Sequence, residues 1–150
     1  MSDIDDLLAR VDASKRELGE TIQPPASPEA IERVRRLARE TLRTDLPEGY
    51  VTFLRRNEGL AFNNCQIYAA TECRNPYYRP GFIEVNTLFS ASWGSERYVL
   101  YGDTGDELYA QDRMSGAWVE LDRPSLSLLN TFPSFDAMLA KVLRDALWEP

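Results

Sequence analysis

The chain has 150 residues, 43% apolar and 11% aromatic, which suffices for one domain that buries roughly two-thirds of its unfolded surface without a disulfide or metal. Its formal charge is -7, from 24 acidic and 17 basic residues, with two cysteines and no histidine. The charge disfavours phosphate backbones and anionic membranes, the missing histidine removes the one side chain that titrates near neutrality, and two thiols alone fall short of a zinc site.

No apolar run approaches the roughly 20 residues that cross a bilayer, and Met1 to Asp6 lacks the basic-then-apolar pattern of a secretory signal. A cytosolic location is expected, with Cys65 and Cys73 as reduced packing residues. Residues 1–44 hold nine acids and eight bases, so residues 45–150 carry fifteen and nine and a net -6. A basic protein is the partner such a surface would steer.

In chain order, Ile4, Leu7, Leu8, Val11 and Leu18 share a helical face, with Asp3, Asp5 and Asp6 at the positive end of the dipole and Gly19 as the stop. A second helix starts from Ser27 as N-cap with Pro28 in its first turn, and Ile31, Val34, Leu37, Ala38 and Leu42 form its stripe. Of its arginines, Arg33, Arg35, Arg36, Arg39 and Arg43, several lie three or four positions from Glu29, Glu32 or Glu40, which reads as a solvated, salt-bridged face. The third helix is complete in itself. Leu46-Pro47 opens it, Tyr50, Phe53 and Leu54 make its apolar side, and Gly59 ends it by taking a left-handed conformation.

Short apolar and aromatic runs follow. Cys65 to Ala70, Arg97 to Tyr101, Glu107 to Gln111 and Ala117 to Leu121 read as strands, and 82–89 fits either a strand or a short helix. Glycine and aspartate in 102–106 and 112–116 are hairpin material, so the last three strands form an antiparallel meander. In the first of them Tyr98 and Leu100 point one way and Val99 and Tyr101 the other, which leaves one pair free to face outward. A last helix runs from Ser134 as N-cap, with Phe135, Met138, Leu139, Val142 and Leu143 inward. Helices, then sheet, then helix give a single α+β domain with helices packed on one sheet face, residues 1–44 forming its N-terminal helical part.

No catalytic constellation emerges. Asp103, Asp106 and Glu107 invite a reading as paired carboxylates, yet they sit in a glycine-containing turn and lack the ligand spacing of a calcium loop. Cys65 and Cys73 have no histidine partner, 102–106 lacks the lysine of a phosphate loop, and Ser92-Trp93-Gly94-Ser95 lacks the nucleophile-elbow pattern. No enzyme, cofactor or metal is expected. What remains is surface: aromatic anchors among acids suit a grip on a basic protein. The candidate contact residues are Glu58, Glu72, Glu96, Tyr101, Asp103, Asp106, Glu107 and Asp112, with Tyr77, Tyr78 and Arg79 as a second patch.

The pattern Leu46-Pro47-x-x-Tyr50-x-x-Phe53-Leu54-x-x-Asn57-x-Gly59, followed by Gln66-Ile67-Tyr68-Ala69-Ala70, resembles the SUKH superfamily of bacterial immunity proteins and yeast cell-wall regulators. Asn75 to Asn86 is similar to the middle of its YrhA-like branch. Gly102-Asp103-Thr104-Gly105-Asp106 and Ser134-Phe135-Asp136 are similar to its Gly-Asp segment and closing helix, so the resemblance spans about 45–147 in order. It departs where Glu58 separates Asn57 from Gly59, a change that shifts the helix end by one residue. The resemblance implies a helix over 82–89. It further implies a cytoplasmic immunity protein that binds and neutralises a cognate toxin, with an adaptor or regulator on the same fold as the alternative and a small carboxylate hydrolase using Asp103 or Asp106 as the third. It assigns no contact residue and leaves the oligomeric state open.

Overall fold

The chain enters as three helical segments, and the computed structural model describes residues 3–74, 78–94 and 96–148. Helix α1 spans Asp3–Leu18 and buries Leu7, Leu8 and Val11. The stripe is correct up to Val11 and then changes: Leu18 is 65% exposed, whereas Lys15 between them is only 2% exposed. The helix overshoots the body it packs on, and its lysine is enclosed by the returning chain. Gly19 makes that return at φ 70°.

Helix α2 spans Pro28–Leu37, with the Ser27 hydroxyl accepting from the Ala30 amide at 3.0 Å. It runs on as a π turn over Ala38–Leu42, ended by Arg43 at φ 53°. Wider turns shift the stripe, so Ile31, Val34 and Ala38 are buried but Leu37 and Leu42 only partly. Two of the arginines pair with the next segment, Arg35 with Glu48 at 3.0 Å and Arg39 with Asp45 at 2.9 Å. Helix α3 spans Glu48–Arg56 and buries Tyr50, Val51, Phe53 and Leu54.

Six strands form one antiparallel sheet in sequence order: β1 (Leu60–Phe62), β2 (Cys65–Ile67), β3 (Tyr98–Asp103), β4 (Glu107–Asp112), β5 (Trp118–Asp122) and β6 (Leu128–Phe132). The β3–β5 meander is as the turns predict. β1 and β6 were not predicted, since one has three residues and the other has no apolar alternation. Past Tyr68, whose amide still donates to the Tyr101 carbonyl at 3.0 Å, the chain leaves the sheet as an arm in which Cys73 and Arg79 exchange main-chain hydrogen bonds of 3.0 and 2.6 Å. Helix α4 (Phe82–Trp93) follows, so the ambiguous segment is helical. Helix α5 (Phe135–Ala146) closes the chain from its Ser134 cap.

Tyr50 of α3 and Tyr101 of β3 pack edge-on against each other, each also touches Phe82 of α4 and Phe135 of α5, and Trp118 of β5 joins through Tyr101 and Phe135, with the ring centroids of these pairs 5.0 to 5.8 Å apart. Five elements therefore meet at one aromatic cluster. Contacts of this kind each add about 0.5–1.5 kcal/mol beyond area burial. Val99, Leu100 and Tyr101 are all buried, so in β3 neither alternate pair faces outward. Among the described residues no helix is long and apolar enough to cross a membrane.

Candidate partner-binding surface

Consecutive antiparallel strands reverse direction, so the β1–β2, β3–β4 and β5–β6 turns fall at one end of the sheet and the β4–β5 turn at the other. This alternation divides the acidic candidates. Asp103, Asp106 and Glu107 share the first end; Glu96 and Asp112 lie at the second.

The first end is interlocked. Asn63 and Asn64 take the β1–β2 turn at φ 46° and 66°, and a Cβ on Gly105 would lie 2.9 Å from the Asn64 amide nitrogen, so two turns touch. Arg123, from the third turn, donates to the Thr104 carbonyl at 2.5 Å, and its own amide donates to the Asp106 carbonyl at 2.9 Å. Thr104 organises the β3–β4 turn: its hydroxyl accepts from the Asp106 and Glu107 amides and donates to Glu107 Oε2 at 2.5 Å. The turn chemistry expected of the aspartates thus belongs here to a threonine. Gly102 serves close approach and not a left-handed turn, because a Cβ there would lie 2.6 Å from the Gln66 carbonyl.

Asp103 lines a cleft of about 470 Å³ between these turns, together with Asn63, Gln66 and Arg123. Tyr68 donates to its Oδ2 at 2.6 Å and the Arg123 guanidinium stands 3.6 Å from Oδ1. Burial pushes this carboxyl above its ordinary value, against the pull of Tyr68 and Arg123. Asp106 is exposed at the tip and Glu107 half-buried beside it. The end therefore offers a firm acidic rim around a partly neutralised floor.

At the second end Arg97 grips Asp112 through two hydrogen bonds of 2.9 and 3.2 Å and holds its carboxyl below the usual range, while the Asp112 Oδ1 also accepts from the Met114 amide. Asp112 is buried by this, so it shapes the turn; Glu96 is exposed nearby. Tyr101 is core, in the aromatic cluster. Glu58 is buried as well: α3 ends at Arg56, and the residue that separates Asn57 from Gly59 turns inward to accept from the Thr71 amide at 2.8 Å. Glu72 is half-buried in the arm and paired with Arg74 at 3.0 Å. Glu58, Tyr101 and Asp112 thus present no side chain to a partner, and of the eight candidates Asp106 and Glu96 are the fully exposed ones. In the second patch Tyr78 is exposed and Arg79 half-buried, while Tyr77 lies outside the described residues, as does Ser95.

The sheet also holds a polar centre that the candidates omit. Glu120 of β5, 3% exposed, accepts from Tyr109 at 2.8 Å, Asn130 at 2.7 Å and Lys141 of α5 at 3.0 Å. Burial pushes its carboxyl up, but the three donors outweigh this and leave it below its ordinary value. Alternation carries a signal for it, because Glu120 lies two positions from Trp118 and so shares the sheet face that meets the aromatic cluster. The arrangement ties α5 to three strands; it is a fastening and not a reactive pair. Cys65 is buried with its thiol pushed up to about 12, and neither cysteine is in a disulfide. Among the described residues no group of three or more potential ligands could hold a metal ion. Comparison with protein-family models and with curated proteins found no match to this chain.

Proposed function

We propose that the protein acts by stoichiometric binding, as a SUKH-type immunity protein that occludes a cognate, basic bacterial toxin in the cytoplasm. The observation that carries this reading is the interlocked sheet end. Three turns from separate hairpins brace one another and hold Asp106 and Glu107 at fixed positions, in a part of the chain that bears a net -6. A rim whose main chain is already braced loses little backbone freedom on binding and attracts a cationic surface over several ångströms. The family resemblance of 45–147 and the helix over 82–93 agree with that reading.

The test is co-expression with a toxin encoded beside this gene. Growth should be restored by the wild-type chain and impaired for Asp106→Lys combined with Glu107→Lys; a toxin unaffected by the wild-type protein sinks the immunity reading. With a purified pair, association should slow as salt rises through roughly 0.05 to 0.5 M, because the Debye length shortens from about 14 Å to about 4 Å.

A further inference from the structure

Beside this acidic end lies a cavity of opposite internal charge. It is a half-open cavity lined by Lys15 of α1, the returning segment 19–24, Ala61 of β1 and Cys73, Tyr78 and Arg79 of the arm, with a volume of about 470 Å³. That lies within the roughly 300–1,000 Å³ usual for small-molecule sites. At about 30 Å³ per water-sized group it has room for roughly fifteen, the size of a one- or two-ring molecule.

Two cations line it. Lys15 is 2% exposed, and its ammonium donates to the Thr21 carbonyl at 3.1 Å and to Gln23 Oε1 at 2.8 Å, both uncharged acceptors. An ammonium has three N–H groups, so the two uncharged acceptors leave its charge unneutralised and one N–H over. Burial pulls its pKa below the ordinary 10.5, against the opposing fields of Glu20 and Asp12. Arg79 stands on the arm, fixed by its paired main-chain bonds to Cys73, and also lines the cavity. Glu58 acts on Arg79 electrostatically but does not line the cavity. Pro24, Ala61 and Tyr78 supply apolar wall, and Glu20 is the one acid in the lining.

We propose that this cavity binds a small amphipathic anion, an aromatic carboxylate whose ring lies against Pro24, Ala61 and Tyr78 and whose carboxylate accepts from Lys15 and Arg79. Two cationic side chains lining one cavity favour a carboxylate, because charge-assisted hydrogen bonds are roughly twice as strong as neutral ones. In a chain of net charge -7 an anion arrives against the long-range field, so selection rests on the two inward cations at contact distance. The site is independent of the toxin-binding reading, and neither needs the other.

The experiment is isothermal titration of the full chain with 1-naphthoate and with its uncharged analogue 1-naphthylmethanol. Saturable one-to-one binding of 1-naphthoate is expected, with the alcohol weaker by about tenfold or more. Arg79→Gln should weaken naphthoate by about thirtyfold and leave the alcohol unchanged. Lys15→Met should do the same; if it fails to fold, because Lys15 also holds the 19–24 return, Arg79→Gln decides alone. No saturable binding of naphthoate up to millimolar concentration, equal affinity for the alcohol, or naphthoate binding unaltered in Arg79→Gln would each overturn the assignment.

Discussion

The carboxamide of Asn86 and the main chain of Leu100 are paired as two strands would be: Asn86 Nδ2 donates to the Leu100 carbonyl at 2.9 Å, and the Leu100 amide donates to Asn86 Oδ1 at 2.8 Å. β2 pairs with β3 at Asp103 and Gly102, and the Tyr68 amide extends this to the Tyr101 carbonyl at 3.0 Å, so at Leu100 the edge of β3 would otherwise be open and buried. Asn86 Nδ2 also reaches the Phe82 carbonyl within α4 at 2.9 Å. One side chain thus completes a sheet edge and seats a helix on it. Buried main-chain groups left without partners are strongly unfavourable, which explains an asparagine inside a helix.

Asn86→Ala is accordingly expected to lower stability by about 2–4 kcal/mol, since it strands both Leu100 groups. Asn86→Asp should also destabilise at neutral pH, because it keeps the acceptor, loses the donor and buries a charge. Urea unfolding of both variants checks this. A loss below about 1 kcal/mol for Asn86→Ala would mean that the edge is satisfied in another way.

The two central tyrosines should answer differently to loss of their hydroxyls. Tyr50 donates to the Tyr68 carbonyl at 2.6 Å, while the Tyr101 hydroxyl is buried without a partner among the described residues. Tyr50→Phe is expected to cost about 1–2 kcal/mol; Tyr101→Phe should be neutral or stabilise by up to about 1 kcal/mol. Thermal melts of the pair, read side by side, distinguish the two roles, and equal losses would refute the distinction.

Glu58 and Glu120 should give stability opposite pH dependences. Burial raises Glu58 above its ordinary 4.5, against the Thr71 and Ala70 amides and Arg79, so its favourable contribution is complete below pH 4.5 and declines as pH rises through the folded-state value. Glu120 is held below 4.5, so its contribution is present above that pH and declines as pH falls through the folded-state value. Glu58→Gln, which keeps an acceptor for Thr71, should therefore raise stability at pH 7 relative to pH 4 and flatten the alkaline side of the profile. Glu120→Gln should flatten the acid side. Chemical unfolding from pH 3 to pH 8 measures both, and a Glu58→Gln profile parallel to wild type above pH 4.5 would contradict the assignment.

The thiols should separate by access. Cys65 is buried and its thiol raised to about 12, so almost none is thiolate at neutral pH. Cys73 is half-buried in the arm. Titration with Ellman's reagent should release one equivalent from the native chain and the second only in denaturant. Two equivalents released at the same native rate would show that β2 opens readily.

How much was legible in advance follows the range of the interactions. Signals carried within one turn of chain were read directly: Ser27 and Ser134 cap their helices, Gly19 ends α1, and glycine and aspartate mark the hairpins of the β3–β5 meander. The α+β class needs only the order of such signals. By contrast β1 and β6 carry almost no local pattern, and they exist because a neighbouring strand offers them hydrogen-bond partners.

The candidate surface was legible only as composition. Glu58, Asp106 and Asp112 are all acids beside a glycine or a turn, and nothing local separates the first, turned inward to Thr71, from the second, exposed at a tip, or the third, clamped by Arg97. Tertiary packing made that choice, because desolvating a carboxylate is tolerable only where donors from distant parts of the chain converge on it, and those donors are 13 to 21 residues away for Glu58, Asp112 and the Lys141 partner of Glu120. The amino-acid order by itself determined which segments coil, extend and turn, and that the protein is acidic. Only the assembled fold decided which acids it shows and which cations it hides, since burial and charge pairing are properties of neighbours in space.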